Sequence, residues 1–589
     1  MTTDPSPLTG IVGLGTVGEA FLRLAHRAGH RVVAVDTDLG VLARVGNRLK
    51  ALTAATPEQD GRAAATTKSQ VVLTDDLAEI ADATVVIEAA PEDAAVKIDV
   101  LRRIGEITRA PVLTTTASLS VARLAIVSGR PETLSGLRFL VPPGPGGTVE
   151  PAPTALTSPA TVGAVDALVA ALGLTPVEIG AGPAQDATGL VMAHLNRSVA
   201  FLDAGHATRD DIDTAMRLGC GLPAGPLQLL DAIGLDTAHA ALTRLHRMTG
   251  DAAFAPAPLL TSLVDSGRLG RKTGDGFYTY DIEGAASPDG RVDRPAAARR
   301  PLRKVAVLGS GVMARGIAEV AATAGRPTVL VARGREKADA ALAAISESLT
   351  RAVRRGRISA QQKTAALRLL TPATAVDAVT ECDLVVEAVA EDLDVKRELF
   401  ARLGTFAAPG AVLATTTSSL SVAACAEASG RPADVVGMHF FNPAPALRLV
   451  ELIRTARTCD DAFADARAFA VALGRTPVTC PDRAGFIVNG LLFPYLGAAV
   501  ELLRRPDIDI EATDSAVQNG YGHPMGPFAL LDTIGLDVAL AIQRHLYARL
   551  ARPEQKPAPL LEALVATGAL GRKNGRGFRT AGRARPSTL

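Results

Sequence analysis

The chain has 589 residues, 48% of them hydrophobic and 21% charged, with 62 basic against 61 acidic side chains. That length exceeds what one hydrophobic core organises, so several domains are expected, and the composition is that of a globular chain rather than a disordered one. Balanced charge leaves no overall field to attract nucleic acid or an anionic membrane, so an anionic ligand must be held by local groups. Five scattered cysteines, Cys220, Cys382, Cys425, Cys459 and Cys480, lack the paired spacing of a zinc site or a disulfide framework, which fits a reduced, cytoplasmic setting without metal. The opening residues lack the charged and apolar regions of a signal peptide, and no segment is long and apolar enough to span a membrane.

Taken in chain order, a short strand at Ile11-Val12 runs into the turn Gly13-Leu14-Gly15-Thr16-Val17-Gly18, then a helix, then a second strand at Val32 to Val35. This is the opening βαβ unit of a parallel sheet. A glycine turn of this kind lets the backbone approach a pyrophosphate while the helix N-terminus supplies free N–H donors, so Gly13, Gly15 and Gly18 are candidate dinucleotide contacts. Asp36, at the end of the second strand, suits the adenosine ribose hydroxyls and repels a 2′-phosphate, which favours NAD. From about Asp186, apolar residues take helical spacing broken by Gly-Pro turns. Asp281 to Arg303 is rich in Ala, Pro, Gly and Arg without apolar periodicity, and reads as a linker.

The same order then returns. Gly309-Ser310-Gly311-Val312-Met313-Ala314 repeats the glycine turn between strands at Val305 to Val307 and Thr328 to Val331, Leu384 to Val389 repeats Val85 to Ala90, and Thr415 to Val422 repeats Thr114 to Val121. Gly526-Pro527 with Leu530-Leu531-Asp532 repeats Gly225-Pro226 with Leu229-Leu230-Asp231, and Gly571-Arg572-Lys573 repeats Gly270-Arg271-Lys272. The offset grows from 296 residues at the glycine loops to 301 afterwards, so the second copy has gained five residues between them. One duplication accounts for this. The expected class is α/β plus all-α: two tandem units, each a Rossmann-like dinucleotide-binding domain followed by a helical domain. The expected limits are 1–185 and 186–280, a linker at 281–303, then 304–482 and 483–580.

The copies differ where chemistry is decided. Ala332 stands in place of Asp36, followed by Arg333 and Arg335, so the repelling charge is gone and two cations lie nearby, which favours NADP in the second half. Further on, Gly437-Met438-His439-Phe440-Phe441-Asn442-Pro443 precedes Leu449-Val450-Glu451 across a predicted strand pair. Moving hydride to or from an alcohol carbon requires moving the hydroxyl proton too, which suits a histidine oriented by a carboxylate on its other ring nitrogen. A histidine beside phenylalanine also serves as a packed core residue, and its position alone leaves both readings open.

Thr417-Ser418-Ser419-Leu420-Ser421, the His439 to Pro443 run, Glu451 and Gly485-Phe486-Ile487-Val488-Asn489 together resemble the L-3-hydroxyacyl-CoA dehydrogenase family, over essentially both halves. The resemblance implies interconversion of 3-hydroxyacyl-CoA and 3-oxoacyl-CoA with NAD(P). It implies His439 as acid/base, Glu451 as its orienting partner, and Ser418 and Asn489 as hydrogen-bonding groups for substrate and histidine. Cofactor contacts are implied at Gly309, Gly311, Val312, Met313, Arg333, Glu391, Lys396 and Asn442, the last positioning nicotinamide. CoA is expected against the helical excursion carrying Ser348, Arg351, Arg354, Arg355 and Arg357, with Ser348 and Arg355 as its contacts; cations there suit the phosphates of CoA or of a carrier-protein arm. A solvated helix face is the alternative for this cluster. An internal pseudo-dimer of the two helical domains is implied as well, with homo-oligomers also open.

The first half departs from the family pattern: Ala117 aligns with Ser418, Arg138 with His439, Val141 with Asn442 and Ala193 with Asn489, while Glu150 keeps the place of Glu451 without a histidine to orient. It is therefore expected to be chemically silent. In the second half Thr416 and Asp392 replace residues that are asparagine in the family. Rival readings are the same reaction on an acyl-carrier-protein thioester, and a dinucleotide-binding scaffold without activity.

Overall fold

The computed structural model describes residues 7–54, 70–116, 119–139, 142–176, 183–281 and 302–579. Residues 282–301 of the linker between the copies, Ala117 and Val141 lie outside them. Among the described residues no helix is long and apolar enough to cross a membrane.

Each copy opens on an eight-stranded sheet. In the first the strands are β1 (Leu8–Val12), β2 (Arg31–Val35), β3 (Val71–Thr74), β4 (Val85–Glu88), β5 (Val112–Thr114), β6 (Leu134–Arg138), β7 (Thr148–Pro153) and β8 (Thr175–Pro176). The second repeats them as β9 (Val305–Leu308), β10 (Thr328–Val331), β11 (Leu370–Ala373), β12 (Leu384–Glu387), β13 (Val412–Thr415), β14 (Val435–Phe440), β15 (Leu449–Arg454) and β16 (Thr476–Pro481). The order is β3-β2-β1-β4-β5-β6-β7-β8 and its counterpart, parallel except where β6 meets β7 and β14 meets β15. The inner strands β4, β9, β10, β12 and β13 are buried along their whole length, as strands covered by helices on both faces must be.

The glycine turns are sterically required. Gly13 has φ 93° and a Cβ there would lie 2.6 Å from the carbonyl oxygen of Ala89; Gly309 has φ 130° and the matching distance to Ala388 O is 2.3 Å. The helices Thr16–Arg27 and Val312–Thr323 start directly after Gly15 and Gly311.

The helical domains repeat as closely. Buried Asp213 accepts the N–H groups of Leu227 and Gln228 at 2.9 Å, and Asp514 those of Phe528 and Ala529 at 2.9 Å. A Cβ on Gly225 or Gly526 would lie about where those carboxylates sit, 2.1 Å from Asp213 Cγ and 2.2 Å from Asp514 Oδ1, which explains the glycine of each Gly-Pro pair. Asp231 and Asp532 hold the end of each copy by accepting Phe277 and Tyr278, or Phe578 and Arg579, N–H groups at 2.9 Å. These pairs keep the 301-residue offset across the helical domains, so Asn489 corresponds to Thr188, and the sequence pairing of Asn489 with Ala193 is corrected by one helical turn and a residue.

The two copies touch through these domains. Helix Pro183–Asp203 packs on Val488–Leu502 and Ile510–Tyr521, and Arg209–Cys220 packs on β15, β16 and Val488–Leu502. One buried cluster joins Val191, Leu195 and Met216 of the first copy to Leu449, Ile487 and Leu491 of the second. Ion pairs Arg505 to Asp186 (2.6 Å) and Arg197 to Glu554 (3.0 Å) flank it.

Candidate active site

The antiparallel register of β14 and β15 sets His439 directly opposite Glu451. Their side chains meet on one face, His439 Nδ1 to Glu451 Oε2 at 2.6 Å, with Glu451 0% and His439 7% exposed. Glu451 Oε1 accepts the backbone N–H groups of Ile487 (3.0 Å) and Val488 (2.8 Å). With both oxygens engaged, the carboxylate is fixed, the ring is aimed, and Nε2 is the nitrogen left to exchange a proton. Phe441 and Phe486 stand against the ring, with centroids 4.6 and 5.6 Å away. Asn489, 9% exposed, follows Val488 in the first turn of helix Val488–Leu502. Sequence reasoning missed the two N–H donors, because backbone groups carry no residue signature.

Ser418 lies in a loop gathered by a second carboxylate. Glu391 accepts Thr417 Oγ1 at 2.6 Å, Ser418 N at 2.9 Å, and Ser418 Oγ and Ser419 Oγ at 3.3 Å. Burial alone pushes the Glu391 carboxyl up, but Lys396 and the Thr417 and Ser418 donors together hold it below its ordinary range. The carbonyl of Ser419 meets His545 Nε2 at 2.6 Å, so this loop is tied to the helical domain.

Lys396, expected at the cofactor, is buried beneath this loop. Its ammonium lies 2.6 Å from Glu387 and 3.4 Å from Glu391, and Glu387 also accepts Thr415 Oγ1 at 2.7 Å. The first copy keeps the knot as Lys97, Glu88 and Thr114, at 2.8 and 2.6 Å.

The glycine loops are open at their second glycine. A Cβ on Gly15 or Gly311 would meet nothing within 4 Å, and Val312 is 58% exposed over the helix N-terminus, with Met313 following it. Asp36 Oδ2 accepts Leu14 N at 2.7 Å, which holds this carboxylate beside the first loop. In the second copy Arg333 is exposed and Arg335 pairs with Asp339 at 2.9 Å. Asn442 is exposed just past β14. Ser348 faces Glu319, whose carboxyl is raised by burial and partly drawn back by Ser348 and Arg351. Arg351, Arg354, Arg355 and Arg357 are exposed around the end of helix Arg335–Arg354.

In the first copy the register is the same, Arg138 opposite Glu150, and the two side chains pair at 3.4 Å. Glu150 thus has a partner that sequence reasoning did not give it, and that partner is a permanent cation. Thr188, at the place of Asn489, hydrogen-bonds Tyr521.

Comparison with known proteins matches residues 9–182 and 304–483 to the 3-hydroxyacyl-CoA dehydrogenase NAD binding domain, and 187–280 and 485–581 to the 3-hydroxyacyl-CoA dehydrogenase C-terminal domain. A 3-hydroxybutyryl-CoA dehydrogenase of Mycobacterium tuberculosis is 42% identical over 285 residues, which is 47% of this chain and 98% of that protein. The human mitochondrial hydroxyacyl-coenzyme A dehydrogenase is 42% identical over 284 residues, 47% of this chain and 90% of that protein. A crystal structure of 3-hydroxybutyryl-CoA dehydrogenase from Escherichia coli K12 is alike in fold over 96% of this chain and 100% of that one, with a TM-score of 0.54 and 20% identity.

Proposed function

The chain belongs to the 3-hydroxyacyl-CoA dehydrogenase family, each of its domains present twice, and we propose that it interconverts a 3-hydroxyacyl-CoA and a 3-oxoacyl-CoA at a single site in its C-terminal half. A bound nicotinamide dinucleotide supplies or accepts the hydride. The chain supplies the proton: His439 Nε2 protonates the oxygen on C3 as the alcohol forms and removes that proton in the reverse direction. Glu451 stabilises the charged ring and fixes which nitrogen is free. Ser418 and Asn489 hold the reacting oxygen, and Asn442 positions the nicotinamide. The observation that carries this reading is the buried, doubly anchored Glu451 at 2.6 Å from His439.

The N-terminal half lacks this chemistry, since a guanidinium stays protonated at all working pH and so serves as neither general acid nor general base. Its role is that of an internal partner, supported by the cross-copy helix packing, and its domain limits are those proposed from the sequence. NAD is the dinucleotide its Asp36 favours. NADP is favoured in the C-terminal half, where Ala332 removes that carboxylate and Arg333 remains exposed. The cation cluster ending at Arg357, with Ser348 and Arg355, is the proposed seat of the CoA phosphates.

Steady-state oxidation of NADPH and NADH with acetoacetyl-CoA tests both levels. Turnover that prefers NADPH is expected; preference for NADH keeps the chemistry and overturns the cofactor assignment. His439→Ala is expected to abolish turnover while leaving dinucleotide binding intact, and retained turnover refutes the site.

A further inference from the structure

We propose that the N-terminal half completes the C-terminal active site, with Phe201 and Gly219 as positioning residues for Glu451. This rests on the reading of His439 and Glu451 as the proton-transfer pair. Glu451 is aimed by a turn, Gly485 to Val488, that the C-terminal half does not hold alone. Phe486 in that turn has φ 45°, a sparsely populated conformation for a bulky residue, and persists only where its surroundings over-determine it.

Two contacts from the other half supply that restraint. Arg483 donates from Nη1 to Phe486 O at 2.8 Å, and its guanidinium lies 4.4 Å from the ring centroid of Phe201, which belongs to the first copy. Stacking on that ring and burial fix the fork in place. On the other side of the turn, helix Arg209–Cys220 brings Gly219 so close that a Cβ there would lie 2.9 Å from Val488 Cγ2 and 3.0 Å from Leu449 Cδ2. Val488 is one of the two N–H donors to Glu451, and Leu449 lies on β15 two residues before it. The adjacent Cys220 thiol is pushed up to about 12 by burial, with the Glu451 charge adding to the effect. Phe201 thus holds the carbonyl side of the turn through Arg483, while Gly219 leaves the space that its amide side and the Glu451 strand occupy.

Position 219 is in the last turn of helix Arg209–Cys220 and does not have a positive φ, so alanine suits its backbone. A loss of turnover in Gly219→Ala therefore reports displacement of Val488 and Leu449 rather than melting of the helix. The test is steady-state kinetics of the full chain carrying Gly219→Ala, Phe201→Leu or Phe201→Tyr, with melting curves to establish folding. Gly219→Ala and Phe201→Leu are expected to lower kcat on the order of tenfold, as sub-ångström misplacement of a reacting group does, with KM for the dinucleotide unchanged. Phe201→Tyr keeps the stacked ring and is expected to keep kcat. Gly219→Ala keeps the question decidable if Phe201→Leu fails to fold. Unaltered kcat in folded Gly219→Ala, or an equal loss in Phe201→Tyr and Phe201→Leu, overturns the proposal. Retained turnover in His439→Ala is the separate result that removes the pair it rests on.

Discussion

At the scale of single residues, Glu451 has the least freedom in the site. It is fully buried and satisfied by one ring nitrogen and two backbone N–H groups. An amide cannot replace it, because it has one acceptor oxygen where three donors are waiting. If that oxygen takes the Ile487 and Val488 N–H groups, the NH2 faces Nδ1, selects the wrong tautomer and withdraws the charge that stabilises imidazolium. Glu451→Gln is expected to lower kcat by about a hundredfold to ten-thousandfold with little change in dinucleotide affinity. A kcat within a few-fold of wild type, measured in both directions, would refute the orienting role. The pair itself was legible in the sequence, since both residue types bear on proton transfer and their strand spacing is preserved between copies. The Arg138 to Glu150 pair was not: replacement of histidine reads as a loss in the sequence, and only the shared register reveals that the carboxylate found a new partner.

At the scale of elements, each sheet is stitched to its neighbouring helix by a buried lysine. Lys396 on Leu393–Phe406 reaches Glu387 at the end of β12, which also receives Thr415 from β13 and the N–H of Val389. Glu387 and Lys396 are 0% and 1% exposed as side chains, so removing the cation leaves an uncompensated charge inside the protein. Lys396→Met is expected to cost about 3–5 kcal/mol in urea unfolding, whereas Arg335→Met, which breaks an exposed pair, should cost at most about 1 kcal/mol. Equal effects from the two would show that the knot does not hold the element. Strands, glycine turns and Gly-Pro helices were readable because local spacing encodes them. The depth of Lys396 was not readable because it depends on partners in other strands, and Ala193 was aligned in place of Thr188 because the five-residue gain had to be carried past it.

At the scale of the whole molecule, the contact between the copies holds His194 buried and His523 partly buried. His194, on Pro183–Asp203, lies 5.6 Å from the ring of Tyr495, and His523, from the other copy, lies 6.2 Å from the same ring on centroids. Burial lowers His194 to about 3, with His523 and Arg197 adding to it, and burial lowers His523 to about 4. Both groups bind a proton more weakly folded than unfolded. The stability they lend the contact is therefore complete above pH 6.5 and is lost as pH falls from there through about 4 and then about 3. Buried acids whose carboxyls are raised act in the opposite sense, Asp213 being pushed up to about 7 by burial, so acid stability of the wild type alone does not isolate the histidines. Comparison with the double variant His194→Phe and His523→Phe does, since it keeps an aromatic ring at both places and removes their titration. The wild type is expected to lose urea stability relative to this variant between pH 6.5 and pH 4.5, and turnover should fall with it if the first copy braces the site in the second. A difference independent of pH would mean that water reaches these rings and that the two halves are not joined through a dry contact.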